Sequence, residues 1–120
     1  MNQLNLSPDD LPTNQMVKLS EVLLSQLEEV IKKRFFSSCD RMVRIVLSSC
    51  HWYFKTNGGV LMLIMICHDL ESYQNIMITV PHLVSRLRRF TNQARISLTS
   101  PINNGIAWII EIEETSSEDD

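Results

Sequence analysis

Between residues 14 and 36 the apolar positions Met16, Leu19, Leu23, Leu27, Val30 and Ile31 recur at intervals of three and four, the period of a helix with one apolar side. Glu28 and Glu29 precede Lys32 and Lys33 by four residues, the orientation in which such pairs support a helix. The cluster Lys32-Lys33-Arg34 falls at the end where the helix dipole favours positive charge. A helix over residues 14–36 is therefore expected. Residues 1–13 hold Pro8, Pro12 and little periodicity, and read as an N-terminal arm.

The period then changes. Ser37-Ser38-Cys39-Asp40 interrupts it, residues 42–55 are rich in β-branched and aromatic side chains, and residues 60–68 are nearly all apolar. Between the two runs stands Thr56-Asn57-Gly58-Gly59, whose Asn-Gly and Gly-Gly pairs accept the positive φ of a tight hairpin turn. Two paired strands are expected there. Farther on, Leu70, Tyr73, Ile76, Met77, Val80, Leu83, Val84, Leu87 and Phe90 fit a helical stripe, but Pro81 falls inside it. Proline in a helix interior costs about 3 kcal/mol, and the run of residues 75–80 is β-prone. The reading is a third strand near 73–80 and a helix from Pro81 to about Asn92. Ala94, Ile96 and Leu98 alternate with Arg95, Ser97 and Thr99 as a half-buried strand does. After a turn at 101–105, a last strand over 106–113 puts Ile106, Trp108, Ile110 and Ile112 on one side and Ala107, Ile109, Glu111 and Glu113 on the other. Residues 115–120 form a polar, acidic tail expected to be disordered. The pattern predicts one α+β domain over residues 14–114. Its expected form is a two-layer antiparallel sheet of four to five strands with two helices packed on one face, in the order α-β-β-(β)-α-β-β.

One strand departs from the usual alternation. Leu61, Leu63, Met65 and Cys67 would face one way and Val60, Met62, Ile64 and Ile66 the other, although an antiparallel sheet with helices on one side has a wet second face. That face calls for a cover (another protein, a second copy of this chain, or the N-terminal arm folded back), because large apolar patches are rarely left open. Trp52, Phe54, Met62 and Met65 are the interface candidates.

Composition changes this picture little. The chain is 44% hydrophobic and 21% charged, as globular domains are. Its longest apolar run, residues 60–67, is far short of the about 20 residues that cross a membrane. With no basic, apolar leader at the start, a cytoplasmic protein with no membrane partner is expected. Cys39, Cys50 and Cys67 are odd in number and without a CxxC, which fits free thiols in a reducing compartment.

Charge adds a second surface. Residues 32–95 carry ten of the eleven basic residues and only three acids, a local net of +7 in a chain of net charge −3. Lys32, Lys33, Arg34, Arg44, Arg86, Arg88, Arg89 and Arg95 are the candidate partner- or phosphate-binding residues, since the arginine fork can bond two oxygens of one phosphate or carboxylate. Trp52, Tyr53 and Phe54 would offer stacking surfaces to unpaired bases, so a nucleic-acid-binding module, for RNA or single strands, stands as the alternative to a protein-interaction factor. The net charge is acidic and no RNP or GxxG motif occurs, which weighs against that alternative.

Catalytic constellations fare worse. Cys50-His51 and Cys67-His68 flank the expected hairpin, but neighbouring residues on a strand point to opposite faces. Each face then receives two ligands, too few for structural zinc. His82 has no acid within a helical turn, and the serines lack a nucleophile elbow. The three glycines are taken by turns, which leaves no P-loop or dinucleotide fingerprint. Glu111 and Glu113 share a strand face beside the acidic tail, where nothing would raise either pKa. The sequence points to a non-enzymatic interaction protein, a regulatory or assembly factor, with no catalytic residues, no metal and no cofactor. It would act through an apolar sheet face and a cationic helix.

Overall fold

In the computed structural model, which describes residues 13–100 and 106–113, the elements run α1 (Thr13–Ser38), α2 (Arg41–Ser48), β1 (His51–Asn57), β2 (Val60–Ile66), α3 (Leu70–Leu87), β3 (Ala94–Thr99) and β4 (Ala107–Ile112). The α+β class stands. The tail and all of the arm except Thr13, which opens α1, lie outside the described residues.

The hairpin follows its turn. Gly58 and Gly59 sit at φ +61° and +83°, Asn57 pairs with Val60, and the register runs to His51 opposite Ile66. Three other expectations need correction. Residues 42–48 are helical, not part of the first strand. Asp40 caps α2 by accepting from the Val43 N–H at 3.0 Å, and Val43 and Leu47, one turn apart, are buried. Residues 73–80 are not a strand either, because α3 runs unbroken through Pro81. Its N-cap Asp69 accepts from the Ser72 N–H at 2.7 Å, which holds the Asp69 carboxyl below its ordinary value. Ile76, Thr79, Leu83 and Leu87 bury one side of α3, while Pro81 lies on the exposed side. There water can serve the carbonyl that proline leaves unbonded. Core packing outweighs local propensity.

The third correction follows from the second. The sheet order is β1-β2-β3-β4, with β2 and β3 parallel between two antiparallel pairs. A helix of 18 residues carries the chain back about 27 Å, so β3 starts beside the beginning of β2 and runs with it. The sheet is thus mixed, with four strands in the described residues, and three helices accompany it.

The core lies on one face. Trp52, Phe54, Leu61, Leu63, Met65, Ala94, Ile96, Leu98 and Ile112 from the strands meet Phe35, Val43, Leu47, Ile76, Leu83 and Leu87 from the helices in one buried cluster. Phe35 is its aromatic hub, edge-on to Trp52, Phe54 and Phe90 at 6.2, 5.3 and 5.7 Å.

Candidate interaction surfaces

Helix α1 touches the domain with only part of its length and one of its sides. Glu28, Phe35 and the half-buried Ile31, Lys32 and Phe36 form the docked side. Glu28 is buried and accepts from the Thr56 backbone N–H at 2.7 Å and the Thr56 hydroxyl at 2.6 Å, bonding the helix to the outer edge of β1. Lys32 sits 4.8 Å over the Trp52 ring. Glu28 and Lys32, one of the two pairs expected along the helix, thus turn to the sheet, while Glu29 and Lys33 are exposed.

The apolar stripe is elsewhere. Met16, Leu19, Leu23, Leu27 and Val30 are between 49% and 59% exposed, and Val17, Val22 and Leu24 are exposed beside them. At 3.6 residues per turn, Glu28 and Phe35 lie about 140° around the helix from Leu23 and Val30. Leu27 and Val30 therefore remain open even where α1 is docked. From residue 15 to residue 27 every side chain is exposed. A lone helical segment of that length is marginal in water.

Among the described residues no helix buries the second face of the sheet, and its cover is partial. Register places Met62 between Lys55 and Arg95, Ile64 between Tyr53 and Ser97, and Ile66 between His51 and Thr99. Those neighbours leave Met62, Ile64 and Ile66 half-buried. Ile109, two strands from Ile64 across Ser97, is exposed. Of the interface candidates, only Met62 belongs to this face. Trp52, Phe54 and Met65 lie on the opposite face, buried in the core, because α1 covers that side of the hairpin.

The basic residues gather at the helix ends. Lys33, Arg34, Ser37, Ser38 and Phe90 line one open depression of about 500 Å³. The Phe35–Phe90 contact brings the end of α3, followed by Arg88 and Arg89, to that part of α1. Burial raises the Cys39 thiol, and the charges of Arg86 and Arg44 oppose that shift in part. Arg95 stands apart on the second sheet face, half-buried, its Nε 3.0 Å from Oε2 of the exposed Glu111 in a cross-strand ion pair. With Trp52 and Phe54 buried, the rings left near the surface of β1 are His51 and Tyr53, 5.4 Å apart.

No three of the described His, Cys, Asp and Glu side chains gather in a metal-binding group. The register continued one step places Cys50 opposite Cys67, and the Cys50 thiol donates to the Leu47 carbonyl at 3.5 Å. Burial pushes the Cys50 thiol up to about 12 and raises those of Cys39 and Cys67, so none of the three is inclined toward the nucleophilic thiolate. None of the described helices is long and apolar enough to cross a membrane. Compared with protein-family models, curated proteins and solved structures, the chain matches none.

The docked/undocked split of α1 escaped sequence reasoning because the stripe and the docking side are different sides of one helix. A signal existed: Phe35 follows Glu28 by seven residues, and neither fits the line of Met16, Leu23 and Val30.

Proposed function

We propose that this chain is a non-catalytic protein-interaction module whose main docking surface is the apolar stripe of α1, with the second face of the sheet as a lesser one. The observation that carries the reading is the exposure of eight apolar side chains on α1, from Met16 to Val30. Contiguous apolar surface of that kind marks an interaction site. A segment whose described side chains are all exposed also gains from a partner the packing that holds a helix together. The raised thiol pKa values support the non-catalytic part. The test is affinity capture from native extract with the full chain and with Leu19→Asp/Leu23→Asp. Partners held by the first and lost by the second are expected. Identical retained sets would sink the reading.

A second reading is favoured by Phe90, which lines one depression with Lys33 and Arg34 and follows directly on Arg88 and Arg89; with Lys33 and Arg34 they are the residues it rests on. These residues would bind a polyanion such as single-stranded nucleic acid, with affinity that falls steeply with salt. Retention on a polyanion column that ignores salt concentration would remove it.

A further inference from the structure

The exposed stripe of α1 reads the same in both directions. Met16, Leu19, Leu23, Leu27 and Val30 are spaced three, four, four and three, a palindrome about Leu23. When two such helices run antiparallel with Leu23 facing Leu23, Leu19 meets Leu27 and Met16 meets Val30, twice each. An isologous two-fold interface requires that self-complementarity, whereas an arbitrary partner helix does not.

Charge selects the same arrangement. A parallel pair would set Lys32-Lys33-Arg34 of one copy beside the same cluster of the other. A parallel heptad seam through Met16, Leu19 and Leu23 would next bring Gln26 and Lys33 into its centre. The antiparallel pair instead sets Lys32 and Lys33 opposite positions 14 and 13 of the second copy, which are the uncharged Asn14 and Thr13. Nor does either domain stand in the way, because each sheet packs about 140° around its own helix and only along the C-terminal half. The stripe and its flanking Val22 and Leu24 would remove on the order of 1,200 Å² from water over two copies, the lower end of stable interfaces.

We propose that the occupant of the α1 stripe is α1 of a second copy, antiparallel and centred on Leu23, so that the protein is a two-fold dimer. This deepens the interaction-module reading and rests on it. Light scattering on the purified full chain at tens of micromolar should give about twice 13.9 kDa, and Leu23→Asp, which sets two carboxylates face to face at the dimer axis, should give the monomer mass with an unchanged far-ultraviolet spectrum. A wild-type monomer overturns the proposal, and so does a Leu23→Asp dimer. Orientation is read from differently tagged Leu19→Cys and Leu27→Cys chains mixed under mild oxidation, with wild type as the thiol control. The mixed disulfide should dominate; Leu19→Cys or Leu27→Cys homodimers in its place overturn the antiparallel arrangement. If wild type is monomeric yet captures partners that Leu19→Asp/Leu23→Asp loses, self-pairing falls and the interaction module survives. If it captures none, both fall.

Discussion

The two halves of α1 belong to one uninterrupted helix of 26 residues and meet opposite fates. The C-terminal half owes its place to few side chains: Phe35 without exposed surface, Glu28 bonded to Thr56, and Lys32 over Trp52. The N-terminal half is richer in leucine, yet all its described side chains face solvent. What separates them is reach, not hydrophobicity. The sheet ends below the first half, and where it continues below the second it meets the helix on a side the leucines do not occupy. An apolar period therefore identifies a helix without identifying which of its sides the fold uses.

The docked half should dominate stability. Phe35→Ala removes the ring at the centre of three aromatic contacts and should cost about 3–5 kcal/mol, read as a lowered denaturant midpoint. A loss below about 1 kcal/mol would mean the docked half is held no better than the free one. Next comes Glu28→Ala, which strips the Thr56 N–H and hydroxyl of their shared acceptor and should cost about 1–3 kcal/mol. In the double variant Glu28→Ala/Thr56→Val the two effects should fail to add, since both residues serve one contact. Full additivity would break the account of how α1 is anchored.

Legibility in the sequence divides along similar lines. Helix α1, the Gly58-Gly59 hairpin, the alternation of β3 and β4 and both faces of β2 could be read because each is a local pattern. The parallel β2–β3 pair could not, since it depends on whether residues 70–80 are strand or helix, and Pro81 argued for the wrong one. The cap Asp69 ahead of Leu70, like Asp40 ahead of α2, was a start signal open to reading. Of the candidate site, the basic residues could be read as runs along the chain, whereas the meeting of Lys33 and Arg34 with Phe90 in one depression depends on how α1 and α3 pack. The pairing of Arg95 with Glu111 needed the strand register. Trp52, Phe54 and Met65 as surface residues were a misreading that followed from not knowing which sheet face α1 covers.

Alkaline pH should loosen the receptor of the docked half more than anything on the free half. Cys50 packs against the core that receives Phe35, and its thiol is pushed from 9.0 up to about 12 by burial. Between those values the unfolded chain has released a proton that the folded chain still holds. The unfolded state binds fewer protons there, and stability falls as pH rises. Denaturant midpoints should thus decline above pH 9, with a shallower decline in Cys50→Ala. Equal slopes in the two proteins would show that this thiol is not under the burial described.

The smallest effect is the sharpest test of the comparison. In dilute solution, where the chain is monomeric, Leu23→Ala should change stability by no more than about 0.5 kcal/mol, since a half-exposed side chain off the domain gives up no core contact and alanine favours the helix. At high concentration the expectation reverses. If α1 pairs with a second copy, the wild-type melting temperature should climb with protein concentration, because association stabilises the folded state by mass action. The Leu23→Ala protein should climb less. Phe35→Ala, which acts inside one copy, should instead lower the melting temperature at every concentration. A large loss from Leu23→Ala in dilute solution would mean that the N-terminal half is docked after all, and the contrast between the two halves of α1 would disappear.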